Sequence, residues 1–379
     1  MDYGKKAIAL HKKFHGKLET VSRVAVKNKK DLSLVYTPGV GAVSGLIAKD
    51  QKLSKQLTLS GRTVAVISDG SAVLGLGNLG PYGAMPVMEG KCILFKTFAG
   101  LDAFPIVLNT QDTKEIIQVV KAIAPTFAGI NLEDFSAPRC FEIEDALQGL
   151  GIPVMHDDQH GTAIAVIGAL MGAVKVAGKR MQDLKVVISG AGAAGSAVAK
   201  MLDVREVVMV DSKGIIYKGR DNLDANKEKL ADMTNPKRVS GDLREAMWGA
   251  DVFIGLSAPG ILKPEFIKGM NADPIVFAMA NPVPEIMPDL AKKAGVRLIA
   301  TGRSDFPNQV NNALIFPGVF KGAIEVGATK ITMQMKKAAA VALSSMIKKP
   351  TEQNFVPSIF DKNVVKVVST AVKRAYAEQ

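Results

Sequence analysis

At 379 residues, the chain is long enough for two domains with sizeable cores, at ~100–200 residues per domain. Hydrophobic residues at 47% and charged residues at 22% exclude a disordered or fibrous chain, and Cys92 and Cys140 alone exclude a disulfide framework and suit a reducing cytoplasm. A net charge of +12 does not indicate a nucleic-acid binder, because the lysines are dispersed and no basic run is interleaved with exposed aromatics; an enzyme that handles anions also gains from a positive field.

In chain order, residues 4–14 predict a basic helix with Ala7, Ile8, Leu10 and Phe14 on its apolar side, without the unbroken apolar stretch of a signal peptide. A turn follows at Tyr36-Thr37-Pro38-Gly39. β-type runs come next at Thr63–Ser68, Cys92–Phe95, Ile106–Leu108 and Gly129–Leu132, with helices over Thr113–Ile123 and Ile143–Leu150, which indicates a first α/β unit. From Gly161 an apolar helix leads to a strand at Lys185–Ser189, a glycine loop, a helix at Ser196–Leu202 and a strand at Val207–Val210. Further buried strands are expected at Val252–Leu256, Ile275–Ala278 and Arg297–Ala300, and helices at Ala323–Ile347 and Lys362–Ala377. The longest apolar run, Ala163 to Val174, falls short of the ~20 residues that cross a bilayer and reads as a buried helix. The expected fold is α/β: an N-terminal α/β domain over 1–160, then a doubly wound Rossmann-type domain with C-terminal helices over 161–379. The boundary is expected in a loop at His156–Gly161.

GxGxxG occurs twice. Gly75, Gly77 and Gly80 are followed by Pro81, Gly83 and Pro86, so no helix is expected to open there and the segment reads as a substrate loop. Gly190, Gly192 and Gly195, with Ala191, Ala193 and Ala194 between them, follow a strand and open a helix, and the next strand ends in Asp211 about 20 residues on. The first glycine permits the turn, the second lets the backbone approach a pyrophosphate, and the third lets helix and strand pack closely. The helix N-terminus then faces the phosphates. Asp211 favours NAD, whereas Lys213, Lys218 and Arg220 offer partners for the 2′-phosphate of NADP, so both cofactors stay open.

Glu133-Asp134 ends one β-run, and Asp157-Asp158 ends another at Ile152–Met155. Adjacent carboxylates at strand ends are costly without a cation among them, and hard oxygen donors suit Mg²⁺ or Mn²⁺; two solvated acidic loops are the alternative. His156 and His160 have zinc-hydrolase spacing, but Gly151 and Pro153 place them in a loop and no Glu follows the first His. His11 and His15 read as solvated residues of a surface helix.

Ordered motifs run almost the length of the chain: YTPGV at Tyr36–Val40, VLGLGNLGP at Val73–Pro81, VMEGK at Val87–Lys91, NLEDF at Asn131–Phe135, HDDQHGTA at His156–Ala163, GAGAAG at Gly190–Gly195, ANPVPE at Ala280–Glu285 and NQVNNALIFPG at Asn308–Gly318. In this order they resemble the malic enzymes of the short bacterial and archaeal type. The resemblance implies oxidative decarboxylation of L-malate to pyruvate, with NAD or NADP as hydride acceptor and Mn²⁺ or Mg²⁺ bound by Glu133, Asp134 and Asp158. It implies Lys91 as general base, tuned by Asp157 beside it and by a lowered pKa, and Tyr36 as the acid that protonates the enol. It also implies Asn281 and Asn312 as ligands of the substrate carboxylate and the nicotinamide ribose or amide. Read without the family, Tyr36 is a turn-packing aromatic, Lys91 an edge lysine beside a strand, and Asn281 and Asn312 turn formers.

One departure stands out. Larger eukaryotic-type members carry an arginine two residues after the Asp-Gly pair, where Asp69-Gly70 is followed here by Ser71-Ala72. Carboxylate binding is therefore expected from N–H groups near Gly75–Asn78, from the asparagines or from Arg303. The chain ends at Gln379, so the phosphotransacetylase-like extension of some relatives, and its allostery, are not expected. A malolactic-type enzyme would share these motifs. A non-catalytic dinucleotide-binding regulator would be expected to have lost Lys91, Tyr36 or a metal carboxylate. The expected setting is the cytoplasm, with no membrane or nucleic-acid partner. The apolar face of residues 4–14 calls for a covering surface, and a homodimer in which Tyr36 completes the neighbouring site is the expected assembly.

Overall fold

A computed structural model of the chain describes residues 3–73 and 75–379, so Leu74 of the Val73–Pro81 motif lies outside the described residues. The N-terminal half holds a parallel sheet of strands β1 (Thr63–Ser68), β2 (Asp102–Val107), β3 (Gly129–Leu132) and β4 (Val154–His156), in the order β2-β1-β3-β4. Strands β1, β3 and β4 are buried along their whole length, because helices cover both faces of a parallel sheet and unbroken apolar runs are what that position selects. The ends of β1, β3 and β4 carry Asp69, Glu133-Asp134 and Asp157-Asp158 to one edge.

The C-terminal half holds β5 (Lys185–Ser189), β6 (Glu206–Asp211), β7 (Gly214–Ile215), β8 (Val252–Gly255), β9 (Ile275–Ala278) and β10 (Leu298–Thr301), in the order β10-β9-β8-β5-β6-β7. All are parallel except β7, which returns as a short hairpin on β6. The order reverses at β5, and the glycine loop leaves β5 at that switch point, where such sheets bind ligands.

Four local expectations are corrected. Cys92–Phe95 is no strand: Cys92 belongs to the helix Gly80–Leu94, and Phe95 continues into a wider turn. That helix opens at the first GxGxxG despite the prolines, because Pro81 sits in its first turn, where no backbone donor is needed; Pro86 lies within it. Lys91 is therefore a helical residue, 8% exposed, rather than an edge lysine. Finally, His156–Gly161 is not a loop. His156 ends β4 and caps the helix Asp157–Ala177, so both aspartates stand in its first turn.

That helix is 21 residues long, more than the apolar run alone indicates, and passes a bilayer-length test by length and composition. It lies inside the protein. It packs on the helices Ala193–Met201 and Met333–Ser345, with Gly168 3.0 Å (as a virtual Cβ) from Ala340 O. One apolar cluster runs from Val64 and Phe95 through Ile164 and Leu170 to Val186 and Phe320, so both halves share a core. The tail forms separate helices Phe316–Glu325, Met333–Ser345 and Val364–Ala377. By contrast, the helices Tyr3–Phe14, Lys29–Val35 and Gly39–Lys49 bury no residue.

Candidate active site

Glu133 and Asp134 leave β3 on a backbone pinned to β1. Glu133 N donates to Ile67 O (2.9 Å), and Ala72 N donates to Asp134 O (2.9 Å). Asp134 adopts a left-handed conformation, φ 57°, which costs a non-glycine residue energy and turns the chain sharply after the strand. Its N–H donates to Asp158 Oδ2 (2.8 Å), which joins this turn to the first turn of Asp157–Ala177. One carboxylate oxygen from each of Glu133, Asp134 and Asp158 lies within 4.8 Å of the others, the first two groups buried and the third partly so. Three hard, mutually repelling donors at that spacing fit Mg²⁺ or Mn²⁺, which take oxygen ligands.

Lys91 reaches this cluster from the helix Gly80–Leu94. Its Nζ hydrogen-bonds Asp157 and lies 2.9 Å from Glu133 Oε1, with all three side chains at most 9% exposed. It also stands 4.4 Å over the ring of Phe316, which packs edge-on to Phe95. Burial by itself would lower the Lys91 pKa, but Asp157 and then Glu133 outweigh it and hold the ammonium above its ordinary value. The expected lowering is therefore reversed in the isolated chain. Burial pushes Glu133 and Asp157 up, and Lys91 opposes this only in part, since one cation does not neutralise two desolvated carboxylates. Asn131 Nδ2 donates to Glu133 Oε2 (2.9 Å) and fixes its other oxygen. His160 pairs through Nε2 with Glu144 (3.0 Å), whereas the His156 Nε2 lies 3.7 Å from Asp158 Oδ2, so the two rings turn to different carboxylates.

The second glycine loop has the three expected properties. Gly190 holds φ 112°, and a side chain there would strike Leu256 O; a Cβ on Gly192 meets nothing within 4 Å; one on Gly195 would strike Gly190 O. The helix Ala193–Met201 starts there, with Gly192 as its cap. Asp211 ends β6 beside this loop. The basic loop after it divides: Arg220 grips Asp211 through Nη1 (2.9 Å) and Nη2 (2.6 Å), whereas Lys218 pairs with Asp232 (2.9 Å) and turns to solvent.

Asn281 is exposed in the loop after β9, which buried Glu285 organises by accepting from Ser257 N (3.1 Å) and Ala280 N (2.9 Å). A Cβ on Gly75 would lie 2.8 Å from Asn281 O, so the first glycine loop touches this one across the cleft. Asn312 borders Gly161, whose virtual Cβ lies 3.2 Å from Asn312 Cβ and overlaps Asp157. Arg303 is engaged by Asp305 (2.6 and 2.9 Å) and Pro282 O (3.0 Å), and the Asn78 amide pairs with Gln111. Tyr36 stands apart: it is 66% exposed on a helix pair that buries nothing.

Residues 15–148 match the family model of the malic enzyme N-terminal domain, and residues 159–378 match that of the malic enzyme NAD-binding domain. The chain belongs to the malic enzyme family. Within it, the chain is 55% identical to the NAD-dependent malic enzyme of Geobacillus stearothermophilus, over 95% of this chain and 76% of that one. It is 51% identical to the bifunctional malic/malolactic enzyme of Bacillus subtilis, over 100% and 94%. Among solved structures, the NAD-dependent malic enzyme of Thermotoga maritima superposes with a TM-score of 0.94 at 49% identity, covering 97% of this chain and 98% of that one. Three residues of this malic enzyme site carry no role in the sequence reading: Asn131, although it sits two residues before Glu133 in the same motif, and Phe316 and Lys227, which reach Lys91 and Asp211 across the fold.

Proposed function

We propose that the chain converts L-malate to pyruvate and CO₂, reducing NAD or NADP, with Mg²⁺ or Mn²⁺ held by Glu133, Asp134 and Asp158. The observation that carries this reading is the buried Lys91–Asp157 pair directly beside that carboxylate cluster. Lys91 takes the hydroxyl proton from C2 of malate, and Asp157, raised by burial and hydrogen-bonded to Nζ, is the group placed to relay it. When bound, the ion supplies Lewis acidity to the substrate oxygen and a positive charge that opposes protonation of Lys91. The glycine loop Gly190–Gly195 would seat the dinucleotide pyrophosphate, and the bound cofactor would supply the hydride acceptor for C2 of malate. Asn281 and Asn312 bind the substrate carboxylate and the nicotinamide end; Arg303, held by Asp305, is dropped from that role.

Tyr36 donates the last proton, to the enol of pyruvate, and we place it in the neighbouring copy of a homodimer. Ile8, Phe14, Leu34, Tyr36 and Leu46 are all exposed on helices that pack on little of their own chain, and such a surface needs a partner. Two buried thiols suit work in the cytoplasm. The deciding assay incubates purified protein with L-malate, Mn²⁺ and either NAD or NADP, and follows reduced cofactor and pyruvate. Lactate without net cofactor reduction would instead assign the malolactic reaction, an activity named for the Bacillus subtilis relative.

A further inference from the structure

One carboxylate from a separate helix holds the residues on both sides of Asp157 and Asp158. Glu144, on the helix Arg139–Leu147, is buried. Its Oε1 accepts from His156 N (3.0 Å), and its Oε2 accepts from Gln159 Nε2 (2.9 Å) and lies 3.0 Å from His160 Nε2. Burial by itself would raise the Glu144 carboxyl, but His160 and then Lys336 outweigh it and bring it down to about 2. An ionised carboxylate only accepts, so His160 Nε2 carries the proton of that bond. The three donors bracket the aspartates: His156 ends β4, and Gln159 and His160 stand in the first turn of the helix Asp157–Ala177. His156 caps that helix without a side-chain hydrogen bond of its own, so the fixing comes from Glu144. At the end of the Glu144 helix, Gln148 adds a second tie to β4 through Val154 O (3.4 Å). The junction borders a cavity of about 220 Å³ lined by Glu144, Gln159, His160 and Lys336, so on this side hydrogen bonds rather than close packing hold the first turn.

We infer that Glu144 is a positioning residue for the metal site: by clamping His156, Gln159 and His160 it aims Asp157 and Asp158, and metal affinity depends on it. The aspartates have side-chain ties of their own, Asp158 to Asp134 N (2.8 Å) and Asp157 to Lys91, but Glu144 holds the segment from which both project. Glu133 and Asp134 leave a different strand, β3, and would not follow if that segment tilted. A tilt would therefore displace one corner of a triangle whose oxygens lie within 4.8 Å of one another. Mg²⁺ tolerates such displacement poorly, because it demands near-ideal geometry, and groups that orient ligands weigh on affinity almost as the ligands do. The inference rests on the metal reading of Glu133, Asp134 and Asp158, and its test separates the two.

Mn²⁺ binding is measured by electron paramagnetic resonance, with melting temperature and malate turnover as a function of Mn²⁺, for wild type, Glu144→Gln, Gln159→Met and Leu147→Ala. Glu144→Gln should raise the Mn²⁺ dissociation constant by about tenfold or more, and saturating Mn²⁺ should restore most of its lost turnover. Gln159→Met removes one donor and leaves the carboxylate in place; it should raise the constant a few-fold, and it carries the test if Glu144→Gln does not fold. Leu147, buried one turn along the same helix, is the control for packing alone. Leu147→Ala should lower the melting temperature while its Mn²⁺ constant stays within about twofold of wild type. A Glu144→Gln constant within about twofold of wild type, or an equal rise in Leu147→Ala, overturns the role of Glu144. Failure of wild type to bind Mn²⁺ at all overturns the metal reading itself.

Discussion

The ammonium of Lys91 donates a hydrogen bond to the carboxylate of Asp157, and neither side chain is more than 9% exposed. Glu133 lies against the same ammonium, so removing the lysine strands two buried carboxylates. Lys91→Ala should therefore lose malate oxidation by ~10²–10⁴-fold and also lose stability on the order of 3–5 kcal/mol. Asp157→Asn removes one charge from a cluster already in excess of negative charge and should be milder on stability while still slowing turnover. Added small primary amines should restore part of the Lys91→Ala rate. A few-fold loss in Lys91→Ala, with no amine response, would remove the lysine from the chemistry.

In the proposed reading, the carboxylate triangle and the glycine loop serve different ligands. Asp158→Ala should abolish Mn²⁺ binding measured by electron paramagnetic resonance and reduce turnover by about 100-fold or more, while NAD affinity changes little. Near-wild-type turnover of Asp158→Ala in metal-depleted buffer would show that the cluster holds no catalytic ion.

Tyr36 provides a test of assembly. If it serves the neighbouring copy, a mixture of Tyr36→Phe and Lys91→Ala proteins should regain activity, since one site of each hybrid dimer has both groups intact. Sedimentation should show a dimer at assay concentration. A monomer defeats the assembly, and a dimer without complementation after verified subunit exchange defeats the shared site.

His160 gives a pH signature. Burial lowers its pKa below the ordinary 6.5, against the opposing pull of Glu144. The unfolded chain then takes up a proton near pH 6.5 that the folded chain refuses, so stability falls as pH drops below that value and is fully present above it. The melting temperature of wild type should fall more steeply between about pH 7 and pH 5.5 than that of His160→Gln. Parallel curves would place the histidine proton outside the folding equilibrium.

The strands buried on both faces were readable because such strands become unbroken apolar runs, as in Thr63–Ser68 and Ile275–Ala278, whereas the partly buried β2 was read only at its end, in Ile106 and Val107, and the two-residue β7 not at all. The glycine cradle was readable because each of its three glycines answers a separate steric demand. The helix Gly80–Leu94 was not: Gly83, Pro86 and Gly90 argue against helix locally, and tertiary packing of Met88, Lys91 and Cys92 overrides them. The clamp on Asp211 was equally hidden, because Arg220 and Lys227 arrive from a hairpin and a separate helix whose approach no spacing encodes.

The helix Asp157–Ala177 begins at the carboxylate cluster and ends packed among the helices of the cofactor half. A recombinant joining the front of one relative to the back of another would therefore fail if spliced at residue 160, since the splice would cut the first turn that holds Asp157 and Asp158. The tolerant crossover lies upstream, in the turn formed by Gly149 and Gly151, whose residues are exposed and where Gly151 already holds φ 73°. Spliced there, only β4, the last strand of its sheet, changes parentage, and both aspartates travel with the helix that aims them.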